Sequence, residues 1–102
     1  MSYLKQIEKD IIKAMNNAGF EVDQIDLTTS NRPELGDYQI NDAMKLAKAY
    51  HKNPREIAEI IKTELEKDYR FTNINIAGPG FINISISNEA LIEFLNELNI
   101  DV

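Results

Sequence analysis

Phe81 and Asn83, a ring and a carboxamide two positions apart, are the residues of this chain best suited to meeting a ligand. They lie in Phe81-Ile82-Asn83-Ile84-Ser85-Ile86, directly after the turn sequence Gly78-Pro79-Gly80. Successive side chains of a strand point to opposite faces, so burying Ile82, Ile84 and Ile86 turns Phe81, Asn83 and Ser85 outward. An aromatic ring beside an amide that both donates and accepts matches the way proteins read unpaired RNA bases. Stacking of this kind contributes on the order of 1–3 kcal/mol per base without a strong electrostatic field. A structural role fits the same residues: Phe81 folded over a sheet edge or beneath a loop, and Asn83 bonded to a cross-strand partner. The spacing leaves both open.

A second group is basic: Lys45, Lys48, Lys52 and Arg55 fall within eleven residues. They could touch phosphate, although a solvated helix face explains the same pattern. The whole chain carries a net charge of −6, the opposite of the balance expected for a protein that grips nucleic acid mainly through phosphates. From Ile86 to Val102 there is no Lys or Arg, while Glu89, Glu93, Glu97 and Asp101 are acidic. Any RNA contact is therefore expected to be small and local. Asp37 and Asp42 bracket a predicted helix start, where acids commonly stabilise the helix dipole, and His51 sits at a predicted helix end.

Other chemistry is missing from the sequence. There is no phosphate-cradling glycine loop, no GxSxG and no HExxH. Cysteine is absent and His51 is the single histidine, so no thiolate or multi-histidine metal site can form. No catalytic residue and no metal ligand is therefore expected. No apolar run approaches the roughly 20 residues of a membrane span, and the N-terminus lacks a signal-peptide pattern. These features predict a cytoplasmic protein without a membrane partner.

The elements that must position the pair can be read from periodicity. With 102 residues, 43% hydrophobic and 27% charged, the chain suits one domain with a modest two-layer core. Leu4, Ile7, Ile11, Ala14, Met15 and Ala18 recur at helical spacing, predicting a helix over 3–18. Alternation over Val22 to Thr29 predicts a strand, and Asn31 to Gly36 a loop. A short strand near Tyr38 precedes a helix carrying Ile40, Ala43, Met44 and Ala47. Asn53-Pro54-Arg55-Glu56 then has a capping residue, a proline for the first helical position and an acid for a capping box, starting a helix to about Lys67. Thr72, Ile74 and Ile76 alternate with Asn73 and Asn75, and across Gly78-Pro79-Gly80 the run 81–86 completes a β-hairpin. Ser87 or Asn88 starts a last helix bearing Leu91, Ile92, Leu95 and Leu98. An antiparallel sheet with helices on one face follows.

Three stretches resemble the N-terminal additional domain of bacterial-type arginyl-tRNA synthetases. They are Leu35-Gly36-Asp37-Tyr38-Gln39-Ile40-Asn41 with Ala43-Met44-Lys45-Leu46-Ala47-Lys48, then Asn53-Pro54-Arg55-Glu56-Ile57-Ala58-Glu59, and Ile76-Ala77-Gly78-Pro79-Gly80-Phe81-Ile82-Asn83-Ile84. Leu35 stands where the family often has an aromatic ring, and Asp42 where a small residue is common. The resemblance covers essentially the whole chain, residues 1–102, as a single domain. It implies an α+β two-layer sandwich with an α-β-β-α-β-β core: a four-stranded antiparallel sheet, helices on one face, and an added C-terminal helix. It further implies an RNA-binding site in which Phe81 and Asn83 recognise a D-loop base at the elbow of tRNA(Arg), with Lys45, Lys48, Lys52 and Arg55 as candidate phosphate contacts. The catalytic domain, with HIGH-like and KMSKS-like motifs, and the anticodon-binding domain are not in this sequence. The chain alone is therefore expected to be non-catalytic and without cofactor. ATP and Mg would serve only the catalytic domain of a parent arginine–tRNA ligase, whose remaining domains would be partners. A protein-interaction or interdomain docking module without RNA contact is the alternative expectation.

Overall fold

The computed structural model describes residues 3–32 and 34–97. Helix α1 (Tyr3–Asn17) buries Ile7, Ile11, Ala14 and Met15, the stripe predicted by spacing, whereas Leu4 is exposed. The strand expected over Val22 to Thr29 shrinks to β1 (Leu27–Thr29). Side chains take backbone N–H groups ahead of it. The N–H of Glu21 donates to the Tyr50 hydroxyl at 2.9 Å, that of Val22 to Asn16 Oδ1 at 3.3 Å, and that of Asp26 to Asp42 Oδ1 at 2.9 Å.

Strand β2 (Tyr38–Ile40) leads into helices α2 (Ala43–Tyr50) and α3 (Pro54–Leu65). Ile40, placed on a helix by spacing, belongs instead to β2, and Met44 is 39% exposed rather than buried. At the start of α3 Asn53 Oδ1 accepts from the Arg55 N–H at 2.9 Å with Pro54 at the first position, as predicted, whereas Glu56 does not complete the expected capping box. Helix α2 ends at His51, which adopts the left-handed conformation at φ 55°.

The hairpin follows as β3 (Phe71–Ala77) and β4 (Phe81–Ile86), then helix α4 (Asn88–Glu97). The sheet is antiparallel in the order β1-β2-β4-β3, so β4 lies inside the sheet with a partner on each edge. Its register sets Ile82 opposite Ile40 on one side and Ile76 on the other. Ile82 and Ile84 are fully buried and join Ile11, Met15, Ile57, Ile61 and Leu65 in one core under α1, α2 and α3. The result is the expected α+β two-layer arrangement.

Two further expectations need correction. The even alternation predicted for β3 is broken by a bulge between Thr72 and Asn75, where Asn73 takes φ 49°. Thr72 consequently pairs with Ser85 on the outer face while Ile76 pairs with Ile82 on the inner one. On α4, Ser87 Oγ caps the helix by accepting from the Ala90 N–H at 3.2 Å, but the predicted apolar stripe is not buried. Leu91 and Leu95 are exposed and Ile92 is 57% exposed; Ala90 is the buried residue of this helix, and Leu98 lies outside the described residues.

Candidate nucleic-acid interface

The three sequence stretches that carry the family resemblance meet on the β3–β4 hairpin. The turn is held from below by the start of α3: Arg55 Nη1 donates to the Gly78 carbonyl at 2.6 Å. A Cβ on Gly80 would come within 3.1 Å of the Pro54 carbonyl oxygen, so the turn and the helix start touch backbone to backbone. At its other end the hairpin is held by the Gly36–Asp37 segment. The Asp37 N–H donates to the Ile84 carbonyl at 2.7 Å, and Asp37 Oδ2 accepts from the Ile86 N–H at 3.1 Å. Gly36 is buried here, and a Cβ on it would lie 2.7 Å from the Ile84 oxygen. Both glycine-containing stretches thus serve close approach of backbone to backbone.

Phe81 begins β4 beside this turn and is half-buried. Its ring lies against Gly78, where a Cβ would sit 3.4 Å from Phe81 Cδ2. Phe81 is therefore braced by its own turn and still reaches solvent, in keeping with an outward ring.

Asn83 departs from expectation. It lies on the face opposite Ile82 and Ile84, as alternation requires, yet it is only 1% exposed. The open position predicted for it is corrected. Its cross-strand neighbours are Gln39 of β2 and Asn75 of β3, and neither is hydrogen-bonded to it. Gln39 Nε2 donates to Asn41 Oδ1 at 2.7 Å, and Asn41 Nδ2 donates onward to Thr28 Oγ1 at 3.1 Å. Asn75 Nδ2 donates to the carbonyls of Leu35 and Asn73, each at 2.9 Å. Asn73 Nδ2 also donates to the Leu35 carbonyl, at 3.3 Å. The Leu35 carbonyl is thus held by Asn75, the cross-strand neighbour of Asn83, while Gly36 packs against Ile84, the next residue of β4. Neither Nδ2 nor Oδ1 of Asn83 has a hydrogen-bond partner, and among the described residues no other buried side chain is left so. An unpaired buried polar group costs about 1–3 kcal/mol.

The basic set is split by the fold. Lys45 and Lys48 are exposed on α2, in the helical layer, with the core between them and the outer sheet face. Lys45 lines a shallow depression together with Glu21 and Asp23. Lys52 is exposed in the connection from α2 to α3, and Arg55 alone of the four reaches the hairpin. The structure thus brings Arg55 near Phe81 and does not bring Lys45 or Lys48 there. Asp37 and Asp42 act through backbone pinning. Asp42, 3% exposed, makes no side-chain cap to α2 but accepts from Asp26; burial pushes its carboxyl above 3.8 despite that bond.

Gln39, Asn73, Asn75 and the Leu35 carbonyl escaped the sequence reading. A signal existed in Asn73 and Asn75: carboxamides are poor strand residues, and two in one short strand imply bonds made by the side chains. Among the described residues no three His, Asp or Glu gather as a metal site, and no helix is long and apolar enough to cross a membrane.

Comparison with known proteins agrees with the three stretches. The family described as arginyl tRNA synthetase N terminal domain matches residues 3–86. The arginine–tRNA ligase of Thermotoga maritima is 57% identical over 60 residues, which is 59% of this chain and 11% of that protein. The arginine–tRNA ligase of Prochlorococcus marinus is 46% identical over 81 residues, 74% of this chain and 13% of that protein. In fold, the chain is similar to the arginyl-tRNA synthetase of Plasmodium falciparum, with a TM-score of 0.74 at 23% identity over 92% of this chain and 18% of that one. The chain spans between 11% and 18% of the length of these proteins.

Proposed function

Because this chain belongs to the arginyl-tRNA synthetase N-terminal domain family, we propose that it is a non-catalytic module that contacts the D-loop at the elbow of tRNA(Arg). In this reading Phe81 stacks on an unpaired base, and Asn83 both donates to and accepts from the base edge. Arg55, fixed at the hairpin turn, is the basic residue best placed to meet a neighbouring phosphate. Arginine activation and tRNA charging, with ATP and Mg, would belong to the other domains of a cytoplasmic arginine–tRNA ligase. Those domains would be this module's protein partners.

One observation carries the proposal: a buried carboxamide with donor and acceptor both unpaired, two residues from a half-exposed ring. The test is a titration of this chain, followed by NMR, with transcribed tRNA(Arg) and with the same transcript substituted in the D-loop. Saturable shifts centred on β4 are expected. Phe81→Ala should weaken binding roughly 5- to 160-fold, the equivalent of one base stack. Equal affinity for both transcripts, together with wild-type binding by Phe81→Ala and Asn83→Ala, would remove the pair from the interface.

A second reading is favoured by α4, whose Leu91, Ile92 and Leu95 are exposed. These residues would suit docking against another protein domain. Association with protein partners alone, and never with tRNA, is the outcome that would favour it.

A further inference from the structure

We infer that the Leu35–Gly36 segment is a displaceable cover over the Asn83 carboxamide, and that Asn75 and Asn73 are positioning residues that hold it shut. The cover matters only if Asn83 meets a base, so it rests on the base-contact reading above. Three observations carry it. First, Asn83 is closed off and yet satisfied by nothing, so closure leaves two polar atoms without partners. A sheltered amide that belonged only to the fold would be expected to bond a neighbour, and both cross-strand neighbours are carboxamides within reach. Instead they bond elsewhere.

Second, the Leu35–Gly36 segment is tied to β3 by side chains and not by a sheet ladder. The Leu35 carbonyl accepts two amide donors, from Asn75 at 2.9 Å and from Asn73 at 3.3 Å. Those side chains can rotate, and water can replace the lost bonds. Beyond the cover, Asp37 stays anchored to Ile84 and Ile86, so movement can stop at Gly36 without unpicking the sheet. Third, Asn73 reaches Leu35 from a left-handed backbone at φ 49°, inside the bulge of β3. This conformation is rare outside glycine, although asparagine tolerates it better than most residues. Within the bulge, Asn73 brings its carboxamide to the same Leu35 carbonyl that Asn75 binds.

Opening exposes Asn83 beside Phe81. A ligand that binds only the open form sees an affinity reduced by the fraction of molecules that are open. Loosening the tethers should therefore tighten RNA binding, the reverse of what loss of ordinary contact residues does.

The test uses the full chain with Asn73→Gly, which retains the left-handed backbone, alone and combined with Asn75→Leu. Fold is checked from the amide spectrum, and each form is titrated with transcribed tRNA(Arg). The expected result is faster solvent exchange of the Asn83 side-chain amide protons together with affinity raised by roughly 3- to 10-fold, as a shifted open population requires. Adding Asn83→Ala should abolish that gain. Faster exchange without tighter binding overturns the cover, as does a gain that survives Asn83→Ala or an exchange rate that does not change. Asn83→Ala in the otherwise native chain separates the two ideas. Weakened binding there, without a gain in the tether variants, sinks the cover alone; unchanged binding sinks the base contact as well.

Discussion

Asn83 stands between Gln39 and Asn75 in a row of carboxamides, and its own polar atoms are the pair left without partners. Ile82 and Ile84 flank it on the same strand and are completely buried on the opposite face. At this scale, fold stability and ligand contact make opposite demands. An apolar group of similar size would sit there without the desolvation cost of an amide. Asn83→Leu is therefore expected to stabilise the domain by about 1 kcal/mol or more, because the unsatisfied donor and acceptor are removed. The same substitution should abolish base recognition. Urea denaturation checks the first effect and tRNA titration the second. A less stable variant would mean that the amide is satisfied in solution. Phe81 obeys a simpler rule: it is braced on Gly78 and remains half-exposed, as its alternation with Ile82 implies.

Among the elements, β4 decides the arrangement because everything with a distinctive sequence touches it. The start of α3 holds its turn through Arg55 and Pro54, and the Gly36–Asp37 segment holds its far half. Gly36 has no room for a side chain above the Ile84 carbonyl. Gly36→Ala should cost about 2 kcal/mol, in the range of an overpacked interior, and lower the urea midpoint accordingly. A neutral effect would show that the segment already moves freely. The elements themselves were largely legible. Helix α1, the capped start of α3 and the hairpin follow from periodicity, an Asn-Pro pair and a Gly-Pro-Gly turn. Strand β1 came out short because Tyr50, Asn16 and Asp42 take the backbone groups of the preceding segment, and no local pattern announces bonds from such distant residues. The bulge at Asn73 was hidden for a related reason: a strand's alternation gives no sign of one inserted residue until its partner strand is in place.

For the whole molecule, charge and layering limit how it can hold RNA. The chain carries −6, and its basic residues on α2 lie across the core from Phe81 and Asn83. Arg55 is the member of the basic set at the hairpin. Few phosphates can then be neutralised on binding. The slope of log affinity against log salt should be shallow, about −1 to −2, since each neutralised phosphate contributes a little under one unit. Titrations at several salt concentrations give this slope directly. A value steeper than about −4 would mean that the helical face with Lys45, Lys48 and Lys52 makes the main contact.

By itself, the order of residues determined the elements, the inward set of isoleucines and the family, because hydrophobic periodicity and turn chemistry act over a few neighbouring positions. It also determined which face of β4 carries Phe81 and Asn83. Only the tertiary structure decided that Asn83 is covered and unpaired. That outcome depends on Leu35, Gln39 and Asn75, which other strands and a loop bring beside it across separations of up to 48 residues in the chain. Alternation assigns a side to a residue, whereas burial on that side depends on what the rest of the chain lays across it.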